Sequence, residues 1–466
     1  MRKSIWIGVG LVVALVVAAA IKLRPDLAIR VATGFVSHEI CSGVFVSGLK
    51  PEAIFAENLK PRPFFSLVAW ALAYQVDPEH RAVTATFLGG DQSRATYRDG
   101  LGCIVVHSAE PADTPRSAKA AAAEPRAGAL LPEIAGPEVV EPADDRLRIA
   151  LDRAFAEPAR GRARRTKAVV VVRGGHVIAE RYAPGYGPGT LLISYSVAKS
   201  VTNALLGILV REGRLSVEAP APVAAWQGAD DPRHRITIDQ LARMTSGLAV
   251  DERNNGFDPW SHALYLERDI GDFAESVPLK AVPGSTWNYT SGNTMILSRI
   301  IRDAVGGRAE DVLRFARQEL FEPLGMKNVT VEFDAAGTPI GSTYVFATAR
   351  DWARFGILYA NEGVAGDKRI LPEGWVAYSA TRTLDSPYAA GFWLGSPLLR
   401  TRFSLPSDAF IAAGILGQRI VIIPSQRIVI ARFGLWDEEY LQTEDDLVKM
   451  IGELIADVLA AINPQR

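Results

Sequence analysis

Residues 193–209, Ile193-Ser-Tyr-Ser-Val-Ala-Lys-Ser-Val-Thr-Asn-Ala-Leu-Leu-Gly-Ile-Leu209, decide how this chain is read. Val197, Val201, Leu205, Ile208 and Leu209 recur at helical spacing, so a buried helix begins here. Ser196 and Lys199 stand three apart at its start, one turn from each other and at the positive end of the helix dipole. Both the dipole and the cation favour an oxyanion over an alcohol, which is what a nucleophilic serine requires. The spacing alone is unspecific, because Ser47 and Lys50 repeat it in a stretch with no helix to follow.

A nucleophilic serine also needs a proton acceptor and oxyanion donors. No Gly-x-Ser-x-Gly elbow occurs, which argues against the common hydrolase fold that uses one. After residue 144 the histidines are His176, His234 and His262, none in a catalytic setting, so a Ser/His/Asp triad has little support. A lysine or tyrosine base is left. Tyr289, in Pro283-Gly-Ser-Thr-Trp-Asn-Tyr-Thr-Ser291, falls on a loop just ahead of a helix that starts near Met295. Its phenol could relay a proton if a neighbouring ammonium lowered its pKa. Alone it reads as a packed aromatic; joined to Ser196 and Lys199 it reads as a proton carrier. Further on, Phe410 to Pro424 and Arg427 to Phe433 read as strands around a Pro-Ser turn. Gly414 would let a substrate approach the backbone, as a strand must when it lends an N–H to an oxyanion; the alternative is a glycine bulge in a core sheet.

The chain opens with a run of uncharged, mostly apolar residues from Ile5 to Ile21, between Arg2-Lys3 and Lys22 with Arg24. It reads as an uncleaved transmembrane signal anchor; cleavage after residues 18–20 is the second reading, and a buried terminal helix the third. Either of the first two exports everything downstream. Hydrophobic residues make up 48% of the 466, the net charge is −1, and nothing in that balance argues for a nucleic-acid partner. In an exported chain the two cysteines, Cys41 and Cys103, form a disulfide; two unrelated buried thiols are the alternative, and too few ligands accompany them for zinc. Four segments follow: 1–24, the anchor or signal peptide; 25–108, a small β-rich accessory module; 109–143, a Pro/Ala-rich linker; and 144–466, a mixed α/β domain with a largely helical middle.

Ser196-Val-Ala-Lys199, Met244-Thr-Ser-Gly-Leu248, the Tyr289 segment, Ala347-Thr-Ala-Arg-Asp-Trp-Ala-Arg-Phe-Gly356 and Gly414-Ile-Leu-Gly-Gln418 occur in the right order across residues 144–464. As a set they resemble the class C β-lactamase-related serine hydrolases, in the flavour of the 6-aminohexanoate-dimer hydrolases and their exported relatives. The resemblance implies a β-lactamase/transpeptidase-like α/β fold, an antiparallel sheet flanked by helices with a mainly helical subdomain. It implies Ser196 as the acylated nucleophile, Lys199 as its activating partner and Tyr289 as the proton shuttle. The N–H groups of Ser196 and Ile415 would form the oxyanion hole, with no metal and no cofactor.

Three positions depart from that pattern. Ser291 stands where Asn is frequent, and Met244 where His is usual. Ala412-Ala413-Gly414 replaces Lys-Thr-Gly, removing the cation and hydroxyl that grip a β-lactam carboxylate. The expectation is therefore a hydrolase of small amides or esters, anchored in the inner membrane with its catalytic domain in the periplasm, or released there if cleaved. Its rivals are a DD-peptidase or weak β-lactamase and a catalytically silent envelope binding module. Ser291 and Gly414 are expected to line the substrate site, with Trp260, Tyr388 and Trp393 as walls of the pocket.

Overall fold

The computed structural model describes residues 24–106, 128–159, 163–228, 230–436 and 444–463. The apolar run 5–21 lies outside them, and among the described residues no helix is long and apolar enough to cross a membrane.

Within the module expected to be β-rich, the chain first forms helix α1 (Pro25–Phe45), which carries Cys41 in its last turn but one. Pro25 suits the first helical position and Asp26 the positive end of the dipole. From Val31 to Ser42 every residue of α1 is buried, the polar Thr33, Ser37, His38, Glu39 and Ser42 included, so the helix lacks the solvent-facing polar side of an ordinary surface helix. It is enclosed because it lies between the main domain and an antiparallel meander of β1 (Leu72–Asp77), β2 (Ala82–Phe87), β3 (Gln92–Arg98) and β4 (Gly102–Val106). Cys41 and Cys103 are joined in a disulfide, which pins α1 to β4. Glu332 of the main domain, fully buried, is held entirely from this side. Its carboxylate accepts from Ser42 Oγ at 2.8 Å and from the Cys103 N–H at 2.9 Å, and it pairs with His38 at 3.1 Å. Burial, the largest single influence, pushes His38 down, but Glu332 beside it, with Glu39 and the Cys103 backbone, raises it.

Residues 107–127 lie outside the described part, and 128–143 behave as a strap rather than a free linker. Leu131 and Ile134 are buried, and the Val177 N–H donates to the Ile134 carbonyl at 2.8 Å.

The main domain begins with α2 (Asp145–Phe155) and the hairpin β5 (Thr166–Arg173) and β6 (His176–Tyr182), turned at Gly174-Gly175, both with positive φ. His176 is exposed at the start of β6. The serine helix α3 (Ala198–Arg211), α4 (Pro259–Leu266), α5 (Ser291–Val305) and α6 (Ala349–Ala360) follow. Short β7 (Trp393–Leu394), then β8 (Phe410–Gly414), β9 (Gln418–Ile423), β10 (Ile428–Gly434) and the last helix α7 (Glu444–Ile462) complete it.

The central sheet runs β7-β8-β9-β10-β5-β6, each neighbour antiparallel. Along β5, Val169 and Val171 face α2 and α7, while Ala168, Val170 and Val172 face the layer holding α3 and α6. A sheet covered on both faces needs apolar residues at successive steps, which explains the aliphatic runs Ala168–Val172 in β5 and Ile420–Ile423 in β9. The serine helix is thus central: every residue from Ala198 to Leu209 is buried, and at Gly207 a Cβ would stand 2.6 Å from the Trp375 ring.

Candidate active site

Ser196 lies in a single 3₁₀ turn, Tyr195–Val197, that runs directly into α3. The turn is stitched to the strand at Val345: the Ser194 N–H donates to the Val345 carbonyl at 2.8 Å, and Ser194 Oγ donates to the Thr343 carbonyl at 2.9 Å. Tyr195 takes a left-handed φ of 44°. Flanked by buried Tyr195 and Val197, Ser196 itself is partly open to solvent.

Lys199 is buried, and its Nζ donates to Ser196 Oγ at 3.0 Å, to Ser291 Oγ at 3.0 Å and to the Ser342 carbonyl at 2.9 Å. Burial pushes the ammonium down to about 8, against the opposing pull of the Glu252 carboxylate. An amine with that pKa is available as a base near neutrality.

Tyr289 sits just ahead of α5, whose first turn is capped by Thr290, the Gly292 N–H donating to Thr290 Oγ1 at 3.2 Å. Lys199 Nζ lies 5.0 Å from the centre of the tyrosine ring. A relay that depends on a lowered phenol pKa would need that ammonium to lower it. Instead burial raises it well above its ordinary value, and the Ser196 hydroxyl opposes the rise only in part. Over the ring face, the cation acts on the π-system, so the phenol keeps its proton near neutrality.

Two groups absent from the sequence reading complete this cluster. Glu252 accepts from Ser291 Oγ at 2.8 Å and from the Ser291 N–H, and the Ser342 carbonyl holds Lys199. Neither position carries a motif: Glu252 is one acid in a polar loop. Ser291, expected to touch substrate, is 2% exposed with its hydroxyl engaged on both sides, so it positions Lys199.

Gly414 closes the site from β8. A Cβ there would stand 2.4 Å from the Ser194 carbonyl oxygen and 3.1 Å from the Ser196 nitrogen, so only glycine lets the strand end meet the serine turn. Its φ of −125° is ordinary, and close approach alone requires the missing side chain. Ile415, next along, is 39% exposed. Arg419, opposite Ala413 on β9, donates to the carbonyls of Gly414 and Gln418.

Of the three expected wall residues, the structure places two beside the tyrosine. Trp393 is 5.3 Å and Tyr388 5.4 Å from Tyr289 between ring centres, and Trp287 joins them 6.2 Å from Trp393. Trp393 is partly exposed, whereas Tyr388 is buried behind it. Trp260 is not a wall: it is 1% exposed in the core, at the start of α4.

An antiparallel sheet with helices on both faces, and a serine, lysine and tyrosine gathered at the head of its buried helix, define the penicillin-recognising class of active-site-serine enzymes. A family model described as Beta-lactamase matches residues 151–440, more than half of the chain, and the chain belongs to that family. It is a serine hydrolase of β-lactamase-related type. It is 26% identical over 296 residues to the 6-aminohexanoate-dimer hydrolase of Paenarthrobacter ureafaciens, covering 59% of this chain and 73% of that one. Among solved structures, a Bacillus anthracis protein provisionally named a 6-aminohexanoate-dimer hydrolase superposes with a TM-score of 0.57 at 22% identity, over 72% of this chain and 90% of the other. A family VIII carboxylesterase does so with a TM-score of 0.53 at 16% identity, over 69% and 99%. At such identities these two structures speak for the fold.

Proposed function

We propose that the protein hydrolyses amide or ester bonds of small molecules through an acyl-enzyme on Ser196. The observation that carries this reading is the Lys199 amine, held by burial near a pKa of 8 and 3.0 Å from a partly exposed serine hydroxyl. In acylation, neutral Lys199 takes the proton from Ser196 Oγ as the oxygen bonds to the substrate carbonyl carbon. Charge develops on the carbonyl oxygen, which the N–H groups of Ser196 and Ile415 receive. Tyr289, still protonated, gives its proton to the departing amine or alcohol as the C–N or C–O bond breaks, and recovers one from Lys199. Water then attacks the acyl-enzyme by the reverse proton path, releasing a carboxylic acid and restoring Ser196.

The names of the relatives support amides and esters as substrates. Ala412 is buried with no cation or hydroxyl, and Arg419 is turned to main-chain carbonyls, so the site favours a substrate uncharged beside its scissile carbonyl over a penicillin. The disulfide supports an exported, periplasmic location, where such bonds persist. Ser196→Ala tests the whole: it should abolish both hydrolysis of a p-nitrophenyl ester and labelling by a fluorophosphonate. Full activity in that variant would overturn the proposal. Stable labelling of Ser196 by a fluorescent penicillin would instead favour a DD-peptidase or weak β-lactamase.

A further inference from the structure

The residue before the serine is held from outside the main domain. Tyr195 is 2% exposed, and its side chain reaches the N-terminal unit. There its hydroxyl donates to Glu39 Oε2 at 3.2 Å and accepts from Arg62 Nη2 at 3.0 Å. Asn58 Nδ2 donates to the same Glu39 oxygen at 2.9 Å. The other Glu39 oxygen, Oε1, accepts from the Tyr344 hydroxyl at 3.0 Å. Tyr344 stands two residues after Ser342, whose carbonyl holds Lys199 Nζ. One buried carboxylate on α1 therefore ties down both main-chain segments that set the Ser196–Lys199 pair.

Conformation makes this tie matter. Tyrosine in the left-handed region is strained by about 1 kcal/mol or more, and such a residue persists only where its surroundings over-determine it. The main domain fixes the turn through Ser194, whose Oγ also donates to the Tyr195 carbonyl at 3.0 Å, and the Tyr195 side chain adds a hold from the N-terminal unit on the step at which the Ser196 N–H and Oγ are aimed. We infer that Glu39, with Asn58 and Arg62, is a positioning device that holds Tyr195 left-handed and so aims Ser196, making the N-terminal unit part of the active site. The inference rests on Ser196 being the acylated nucleophile.

Tyr195→Phe removes only the hydroxyl, and Glu39→Gln keeps the side chain's shape while removing its charge and exchanging one acceptor oxygen for an N–H donor. Each should slow fluorophosphonate acylation and lower kcat for a p-nitrophenyl ester about tenfold or more while KM stays within about twofold, because the cluster shifts the nucleophile and does not line the pocket. Val83→Ala, in the core of the same unit but outside the cluster, is the control. It should lower the melting temperature and leave kcat per labelled site unchanged. Wild-type acylation rates in folded Tyr195→Phe and Glu39→Gln would overturn the inference, as would an equal loss of kcat in Val83→Ala. A wild-type protein that is itself never labelled would overturn the reading of Ser196, and this one with it. If Glu39→Gln fails to fold, Tyr195→Phe decides.

Discussion

Lys199 Nζ lies 3.0 Å from Ser196 Oγ, and burial holds that amine near a pKa of 8 although three acceptors surround it. Below this value the amine is charged and cannot take the serine proton. With Lys199 as the base, kcat/KM for a neutral ester climbs as pH rises through about 8, and Lys199→Met loses about 10²–10⁴ of it. Stability follows the same sign. The unfolded chain, with an ordinary lysine at 10.5, binds more protons between about 8 and 10.5, so this group's contribution to stability rises with pH across that window. A profile flat from pH 6 to 10 would refute the assignment.

Glu252 pulls the Lys199 pKa upward and holds Ser291 beside it. Glu252→Gln should therefore shift the rising limb to lower pH while reducing the plateau rate, the latter by about tenfold or less because glutamine still accepts from Ser291. An unmoved limb would show that the carboxylate does not act on Lys199.

Gly414→Ala would place a methyl 2.4 Å from the Ser194 carbonyl and push β8 off the serine turn. Since φ at this position suits any residue, folding survives; kcat should fall about 10²–10³-fold, as when an oxyanion donor is withdrawn. Comparing the melting temperature with kcat checks both halves.

Two tryptophans separate core from wall. Trp260→Ala should cost about 3–5 kcal/mol in urea unfolding, the usual range for emptying a buried aromatic site. Trp393→Ala, on the partly exposed wall beside Tyr289, should change KM across an ester panel with less effect on stability.

Joining Cys41 to Cys103 closes a loop with a sequence separation of 62, worth up to about 4 kcal/mol on loop entropy. The Cys41→Ser/Cys103→Ser variant should lose stability of that order in urea.

The serine, lysine and tyrosine were legible because each sits at a helix start that local spacing reveals, and the structure brings all three together. Gly414 was legible for a related reason, a glycine amid aliphatic strand residues. Glu252 and Glu39 were not. Their partners are 39 residues away at Ser291, and 156 and 305 away at Tyr195 and Tyr344, and no local pattern encodes such pairings. Helix α1 was hidden by its own burial: its polar residues, Thr33, Ser37, His38, Glu39 and Ser42, face protein instead of water, so no amphipathic period marks it. The sheet order was also beyond local reading, because β5 pairs with β10, more than 200 positions later.

Glu332 has a consequence for how such a protein can change over generations. All three of its partners, His38, Ser42 and the Cys103 N–H, come from outside the stretch that resembles other family members, residues 151–440. A main domain joined to a front unit that lacks these groups would bury the Glu332 carboxylate without its donors, a defect of about 3–5 kcal/mol. The front unit and residue 332 are thus matched to each other, and exchanging one without the other forfeits that pairing.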